Sequence, residues 1–198
     1  MIVGILLAAG ASRRFGGDKL LADLGNGQCV AELACARLLP SVDRLISIVR
    51  PNAGDLAVRL AAAGAEVCVF ANAHQGMGAS LAYGIGQVPD AAGWLIALAD
   101  MPMVASADAL RIANSLRAGA TIAVPVSNGR RGHPVGFAQQ HFGELTALEG
   151  DQGARNLLTR HAATLTEIPL DDACTWTWCD VDTGSDLEVV RRILEIRG

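Results

Sequence analysis

No stretch of this chain approaches the roughly 18 uninterrupted apolar residues that would suggest a membrane span. Its opening run, Met1-Ile2-Val3-Gly4-Ile5-Leu6-Leu7-Ala8-Ala9-Gly10, is apolar but short and lacks a basic leader, so it reads as a buried strand and not as a secretory signal. Basic residues are also scarce. Sixteen Lys and Arg against twenty Asp and Glu give a net charge of −4, which argues against a broad basic face for gripping nucleic acid and confines any anion site to a local cluster. The five cysteines are an odd number with no Cys-x-x-Cys pair, so neither a disulfide framework nor a zinc site is suggested. A reducing cytoplasm is the expected compartment. Two familiar phosphate motifs are missing as well: the glycines do not fit G-x-G-x-x-G, and no Gly-Lys-Ser/Thr has Walker A spacing. Nor does the second apolar run end in an acid that could hold a ribose, since it closes as Val49-Arg50-Pro51.

What the chain does have is enough apolar substance for a full core. With 198 residues, 51% hydrophobic and 18% charged, it is expected to fold alone as one domain spanning residues 1–198. Aliphatic runs at Ile2 to Leu7, Leu45 to Val49, Val67 to Phe70, Leu95 to Leu98 and Ile122 to Val126 alternate with helical spacing at Val30 to Leu39, Asp55 to Ala63, Ala79 to Ile85 and Ala107 to Ala118. That alternation predicts a doubly wound α/β fold, a mostly parallel sheet with helices on both faces. After Val126 the rhythm loosens: a polar turn to His133, a strand near Val135 to Phe137, and helix-like pieces at Phe142 to Leu148 and Gly153 to His161. Trp176 and Trp178, two apart beside Cys179 to Val181, suggest a strand, and Ser185 to Ile196 suggests a closing helix with a serine cap.

In an open α/β sheet ligands bind beyond the carboxyl ends of the strands, so the turns leaving those strands carry the chemistry. The first turn is Leu7-Ala8-Ala9-Gly10-Ala11-Ser12-Arg13-Arg14-Phe15-Gly16-Gly17-Asp18-Lys19. Small residues there open backbone N–H groups to a triphosphate, and Arg14 and Lys19 supply cations. A lysine following such a turn is expected to be exposed and long enough to reach phosphate. The fourth run ends Leu98-Ala99-Asp100-Met101-Pro102, where a carboxylate closes a strand; it suits a Mg²⁺ ligand, and equally an Asx turn. Asp180-Val181-Asp182 places two carboxylates on one side of an extended chain, where either could share a metal or simply lead into the last helix. Gly76-Met77-Gly78-Ala79-Ser80 combines a flexible turn with a helix start able to read a base or ribose. Arg130-Arg131-Gly132-His133 gathers potential cations at a turn, which could hold an acceptor phosphate or equally be solvated with His133 bonded only to backbone, and Asp151 stands where it would cap a following helix.

Taken together, these segments resemble the MobA-like nucleotidyltransferases, and cover Leu7 to Leu187 in family order. The first turn is similar to L-A-[AG]-G-x-S-x-R-M-G-x-x-K, with Phe15 for the usual Met; Leu98 to Pro102 is similar to G-D-M-P, with Ala99 for Gly; and Asp180 to Thr183 is similar to D-I-D-T-P, with Gly184 for Pro. Gly76 to Leu81, His133 to Val135 and Gly150 to Arg155 resemble the family's G-M-x-x-S-L, G-H-P-V and G-D-x-G-A-R stretches. The resemblance implies a nucleotide-diphospho-sugar-transferase-like fold, with the nucleotide in the N-terminal part and the acceptor in the C-terminal part. It also implies a Mg²⁺ held by Asp100 with Asp182, phosphate charge met by Arg14 and Lys19, and ligand contacts from Leu7, Ala8, Ala9, Gly10, Ser12, Gly76, Ser80 and His133. The A-A-G turn is similar to that of the branch that transfers CMP from CTP to molybdopterin, whereas the GTP branch usually has A-G-G. A molybdoenzyme would receive the product. Three other activities fit the residues too: guanylyl transfer, transfer to a sugar or isoprenoid phosphate, and a non-catalytic molybdopterin carrier.

Overall fold

A computed structural model describes residues 1–10, 15–170 and 178–197 of the chain. Four of the interior strands are aliphatic runs that can be buried on both faces: β1 (Ile2–Ala8), β2 (Arg44–Val49), β4 (Gly93–Leu98) and β5 (Ile122–Ser127). Among the described residues, with β3 (Glu66–Val69), β6 (Arg130–Arg131), β7 (Val135–Ala138) and β8 (Leu165–Pro169) they form one eight-stranded sheet, ordered β3-β2-β1-β4-β7-β5-β6 with β8 on the other side of β5. The pairs β1–β2, β1–β4, β2–β3 and β5–β8 are parallel, while β7 runs antiparallel to both β4 and β5.

Alternation along β1 divides the core into two layers. Ile2, Leu6 and Ala8 face α1 (Val30–Leu38), α2 (Gly54–Ala62) and α4 (Ser106–Arg117), which contribute Ala34, Leu56, Leu60, Ile112 and Leu116. On the opposite face Val3 and Ile5 meet Leu81 and Ile85 of α3 (Met77–Gly86), Leu145 of α5 (Phe142–Thr146) and Leu157 of α6 (Arg155–Arg160). Helices therefore cover both faces of a mostly parallel sheet, as the sequence predicts. The last helix, α7 (Gly184–Arg197), sits over a third cluster in which Val181, Leu187 and Val190 join Leu24, Val30 and Met103.

Two expectations are corrected, and one strand forms where no aliphatic run marks it. Leu165–Pro169 is a strand, held by parallel pairing to Ile122–Val126, although its Thr and Glu break the aliphatic pattern. Among the described residues 178–182 no strand forms; Val181 instead donates its N–H to the Asp100 carbonyl at 2.9 Å and buries its side chain under α7. Trp176 lies outside the described residues. The cap of α7 is Thr183, not Ser185: the Thr183 hydroxyl accepts from Asp186 N at 3.3 Å, and Asp186 Oδ2 accepts from Thr183 N at 2.7 Å, a reciprocal capping box. No described helix is long and apolar enough to cross a membrane.

Candidate active site

Beyond the carboxyl ends of β1 and β4 lies a cavity of about 540 Å³. Its walls include four places: Leu7, Ala9 and Gly10 at the end of β1, Leu98 and Asp100 at the end of β4, Gly76, Met77 and Ser80 at the start of α3, and Asp180 and Asp182 before α7. The parallel register of β1 and β4, tied at the top by Ala99 N–H to the Leu7 carbonyl (3.1 Å), brings the first and second of these together. Val181 sets the fourth. Because its side chain is pinned in the core and its N–H is bonded to Asp100, the flanking Asp180 and Asp182 are turned toward the cavity.

At the centre of the carboxylates lies Lys19. Its Nζ is 2.6 Å from Asp100 Oδ2 and 2.7 Å from Asp182 Oδ1, and only 9% of the residue is exposed, so the expected solvent-facing lysine is instead a buried one. Burial opposes its charge, but the two carboxylates outweigh that cost and hold its pKa above the usual lysine value. The backbone under it is fixed by Asp18, whose Oδ1 accepts from Leu20 N at 3.2 Å and whose Oδ2 pairs with Arg50 Nη2 at 2.6 Å. Nothing local in the sequence marks this pair, because Asp18 and Arg50 are 32 residues apart. Asp180 completes the cluster. Its pKa is pushed up to about 6, first by burial on the cavity side and then by the charges of Asp100 and Asp182. Beside this ammonium, the carboxylates of Asp100, Asp180 and Asp182 are hard oxygen donors of the kind a divalent cation takes.

The Asx turn considered for Asp100 does not form. The turn after β4 is closed by backbone, Met101 N–H to the Leu98 carbonyl at 3.3 Å, and the Asp100 carboxylate is directed to Lys19.

At the opposite wall, α3 starts against the loop before α6. Gly78 N donates to the Gly150 carbonyl at 2.7 Å, and Gly76 takes φ +112°, a left-handed-side conformation natural to glycine. A Cβ on Gly76 would stand 2.4 Å from Asp151 Oδ1 and 2.5 Å from the Gly150 carbonyl, so the wall closes only because that residue is glycine. Asp151 does not cap α6, whose cap position is Ala154; it lines the cavity instead. Ser80 lines it too, but is 3% exposed and gives its hydroxyl proton to the Gly76 carbonyl at 3.0 Å, which leaves it able to accept only. His74, unremarked in the sequence, also lines this wall.

Of the remaining candidates, Ala8 is buried in β1 and its side chain packs in the core. Ser12 and Arg14 lie outside the described residues. His133 does not line the cavity: it is half-buried, its Nδ1 lies 3.5 Å from the Ile96 carbonyl, and burial lowers its pKa. Its own carbonyl accepts from Trp178 Nε1 at 3.0 Å, and the indole lies so close to Gly132 that a Cβ there would be 2.1 Å from the ring.

Comparison with known proteins agrees with this architecture. The family model described as MobA-like NTP transferase domain matches residues 4–165. The purine catabolism protein PucB of Bacillus subtilis (strain 168) is 30% identical over 205 residues, covering 98% of this chain and 97% of that one. The crystal structure of Rv0371c from Mycobacterium tuberculosis H37Rv is similar with a TM-score of 0.81 and 32% identity, over 96% of this chain and 97% of that one. Rv0371c is also known in complex with manganese (TM-score 0.79, 29% identity, 96% of this chain and 98% of that one).

Proposed function

The chain belongs to the MobA-like NTP transferase family, and from that premise we propose that it transfers CMP from CTP to a molybdopterin-type acceptor in the cytoplasm, releasing pyrophosphate and delivering the product to a molybdoenzyme. Nucleotidyl transfer itself follows from the family; the donor, the acceptor and the cation are the proposal. The observation that carries it is the meeting of Lys19, Asp100, Asp180 and Asp182 at the edge of a cavity large enough for a nucleotide.

The donor set fits a hard cation, and we assign Mg²⁺ to Asp100 and Asp182, with a manganese complex known for a relative. When bound, such a cation neutralises phosphate charge and orients the triphosphate. The chain's own residues do the rest. The open backbone at Ala9 and Gly10 receives the triphosphate, where a Cβ on Gly10 would meet nothing within 4 Å. Lys19, and with it Arg14, meets the charge on the phosphoryl oxygens. The cavity wall at Gly76, Met77 and Ser80 faces the nucleoside. An acceptor phosphate oxygen then attacks the α-phosphorus in line: the new P–O bond forms as the α–β P–O bond breaks, and pyrophosphate departs with the bonding electrons. The attacking oxygen is already ionised near neutral pH, so no general base is required. Catalysis is positioning and electrostatics.

Preference for CTP rests on the Ala8-Ala9-Gly10 turn. With CTP and GTP at equal concentration, together with Mg²⁺ and molybdopterin, the cytosine dinucleotide should dominate. Faster formation of the guanine product would overturn the donor assignment while leaving nucleotidyl transfer standing.

A further inference from the structure

At the other end of the sheet a second cluster of ligating side chains has no part in this chemistry. β7 ends at Ala138 beside Gly93, the first residue of β4, whereas Asp100 lies beyond the last. Seven residues at about 3.3 Å each put the two regions roughly 20 Å apart. Just after β7 come His141 and, three residues on and on the same helical face, Glu144; His161, following α6, completes the group.

The three side chains aim at a common point. His141 Nδ1 is 3.0 Å and His161 Nε2 is 2.9 Å from the same carboxylate oxygen, Glu144 Oε2, and no two of the ligand atoms are more than 4.8 Å apart. His141 is fixed: it is 4% exposed and its ring packs edge-on to Phe137 at 5.9 Å and to His161 at 4.8 Å. The backbone of His161 is held at both ends, its N–H by the Leu157 carbonyl and its carbonyl by Thr164 N, each at 2.9 Å. Glu144 and His161 keep 31% and 26% side-chain exposure, which gives an ion a way in. Arg160, which pairs with the other carboxylate oxygen at 2.8 Å, is 64% exposed and free to turn toward solvent.

We propose that His141, Glu144 and His161 form a structural site for a borderline divalent cation of the zinc class. Two imidazoles and one carboxylate are a zinc ligand set, and they differ in hardness from the all-carboxylate cluster around Lys19. Ligands of a tetrahedral zinc ion lie about 3.4 Å apart at Zn–N and Zn–O lengths near 2.1 Å, so two of the separations need to open by only about half an ångström and rotation of Glu144 and His161 closes the third. The ion takes the place of the protons now shared between the imidazoles and Glu144, and water fills the fourth position. Its effect is to clip α5 to the end of α6. The loop between them carries Gly150 and Asp151, so the clip steadies the segment that forms one wall of the cavity. The inference does not depend on the identity of donor or acceptor.

The test uses the full chain, stripped of metal and titrated with Co²⁺ and separately with Zn²⁺. One equivalent of Co²⁺ should give the visible absorption of a tetrahedral nitrogen and oxygen site, and Zn²⁺ should raise the melting temperature. Both signals should persist in Asp100→Asn. In His161→Ala the affinity should fall by more than the roughly 10- to 100-fold that outer partners contribute. Glu144→Gln, which preserves side-chain size, should lose the signals in the same way and guards against misfolding of the first variant. Absence of a tetrahedral spectrum in the folded wild type, its persistence in both cluster variants, or its loss in Asp100→Asn would overturn the site.

Discussion

Asp100→Asn should cut turnover about a hundredfold while the protein stays folded. Asparagine preserves the shape and the main-chain contacts of the residue, including Val181 N–H to the Asp100 carbonyl and the backbone bond that closes the turn after β4. What it removes is the charge paired with Lys19 and facing the cavity. Losing one electrostatic group of this kind costs about 2 to 4 kcal/mol of transition-state stabilisation. That is roughly 30- to 1,000-fold in rate at about 1.4 kcal/mol per tenfold. The Mg²⁺ concentration needed for half-maximal pyrophosphate release should rise as well. A thermal melt beside the Mg²⁺ titration separates chemistry from folding, and near-wild-type turnover at ordinary Mg²⁺ would remove Asp100 from the site.

Lys19→Ala should lower turnover and stability together, because this lysine is a structural cation as well as a phosphate contact. Removing it leaves Asp100, Asp180 and Asp182 lining one cavity without their shared ammonium. Breaking a fully buried pair costs about 3 to 5 kcal/mol; here Asp100 and Asp182 retain 23% and 32% exposure, so about 1 to 3 kcal/mol is expected. At about 2 to 4 °C per kcal/mol for a domain of this size, the melt should fall by roughly 2 to 12 °C. Mg²⁺ or Mn²⁺ should restore more stability to the variant than it adds to the wild type, since the Lys19 ammonium no longer competes for Asp100, yet turnover should stay low. A melt and a rate both unchanged would show that the two ion pairs do no work.

The parts of this molecule written in local pattern were legible in the sequence. β1, β2, β4 and β5 are aliphatic runs, and their order with the intervening helices identified the fold; the turn after β1 and Asp100 after β4 marked the edge where the cavity lies. What escaped was set by distant partners. Lys19 looked solvent-facing because its two carboxylates are 81 and 163 residues away. Asp151 looked like a helix cap until the packing of Gly76 against Gly150 and Asp151 placed it in the cavity wall. β8 has no aliphatic pattern of its own and exists through pairing with β5, whereas the segment before α7 has strand-like residues but spends its hydrogen bond on Asp100. For His133 the sequence leaves two readings open, a ligand contact through the G-H-P-V turn or a bond to backbone, and its Nδ1 lies beside the Ile96 carbonyl.

The most direct test of the account is product formation by the purified chain with CTP, Mg²⁺ and molybdopterin, scoring pyrophosphate and dinucleotide in the same reaction. Nucleotidyl transfer through the Lys19 and Asp100 cavity predicts the two products in equal amounts, none without the acceptor, none after chelation of the cation, and severely reduced amounts with Asp100→Asn. Molybdopterin bound tightly while CTP remains unconsumed, with Mg²⁺ present and the wild-type protein folded, would contradict it.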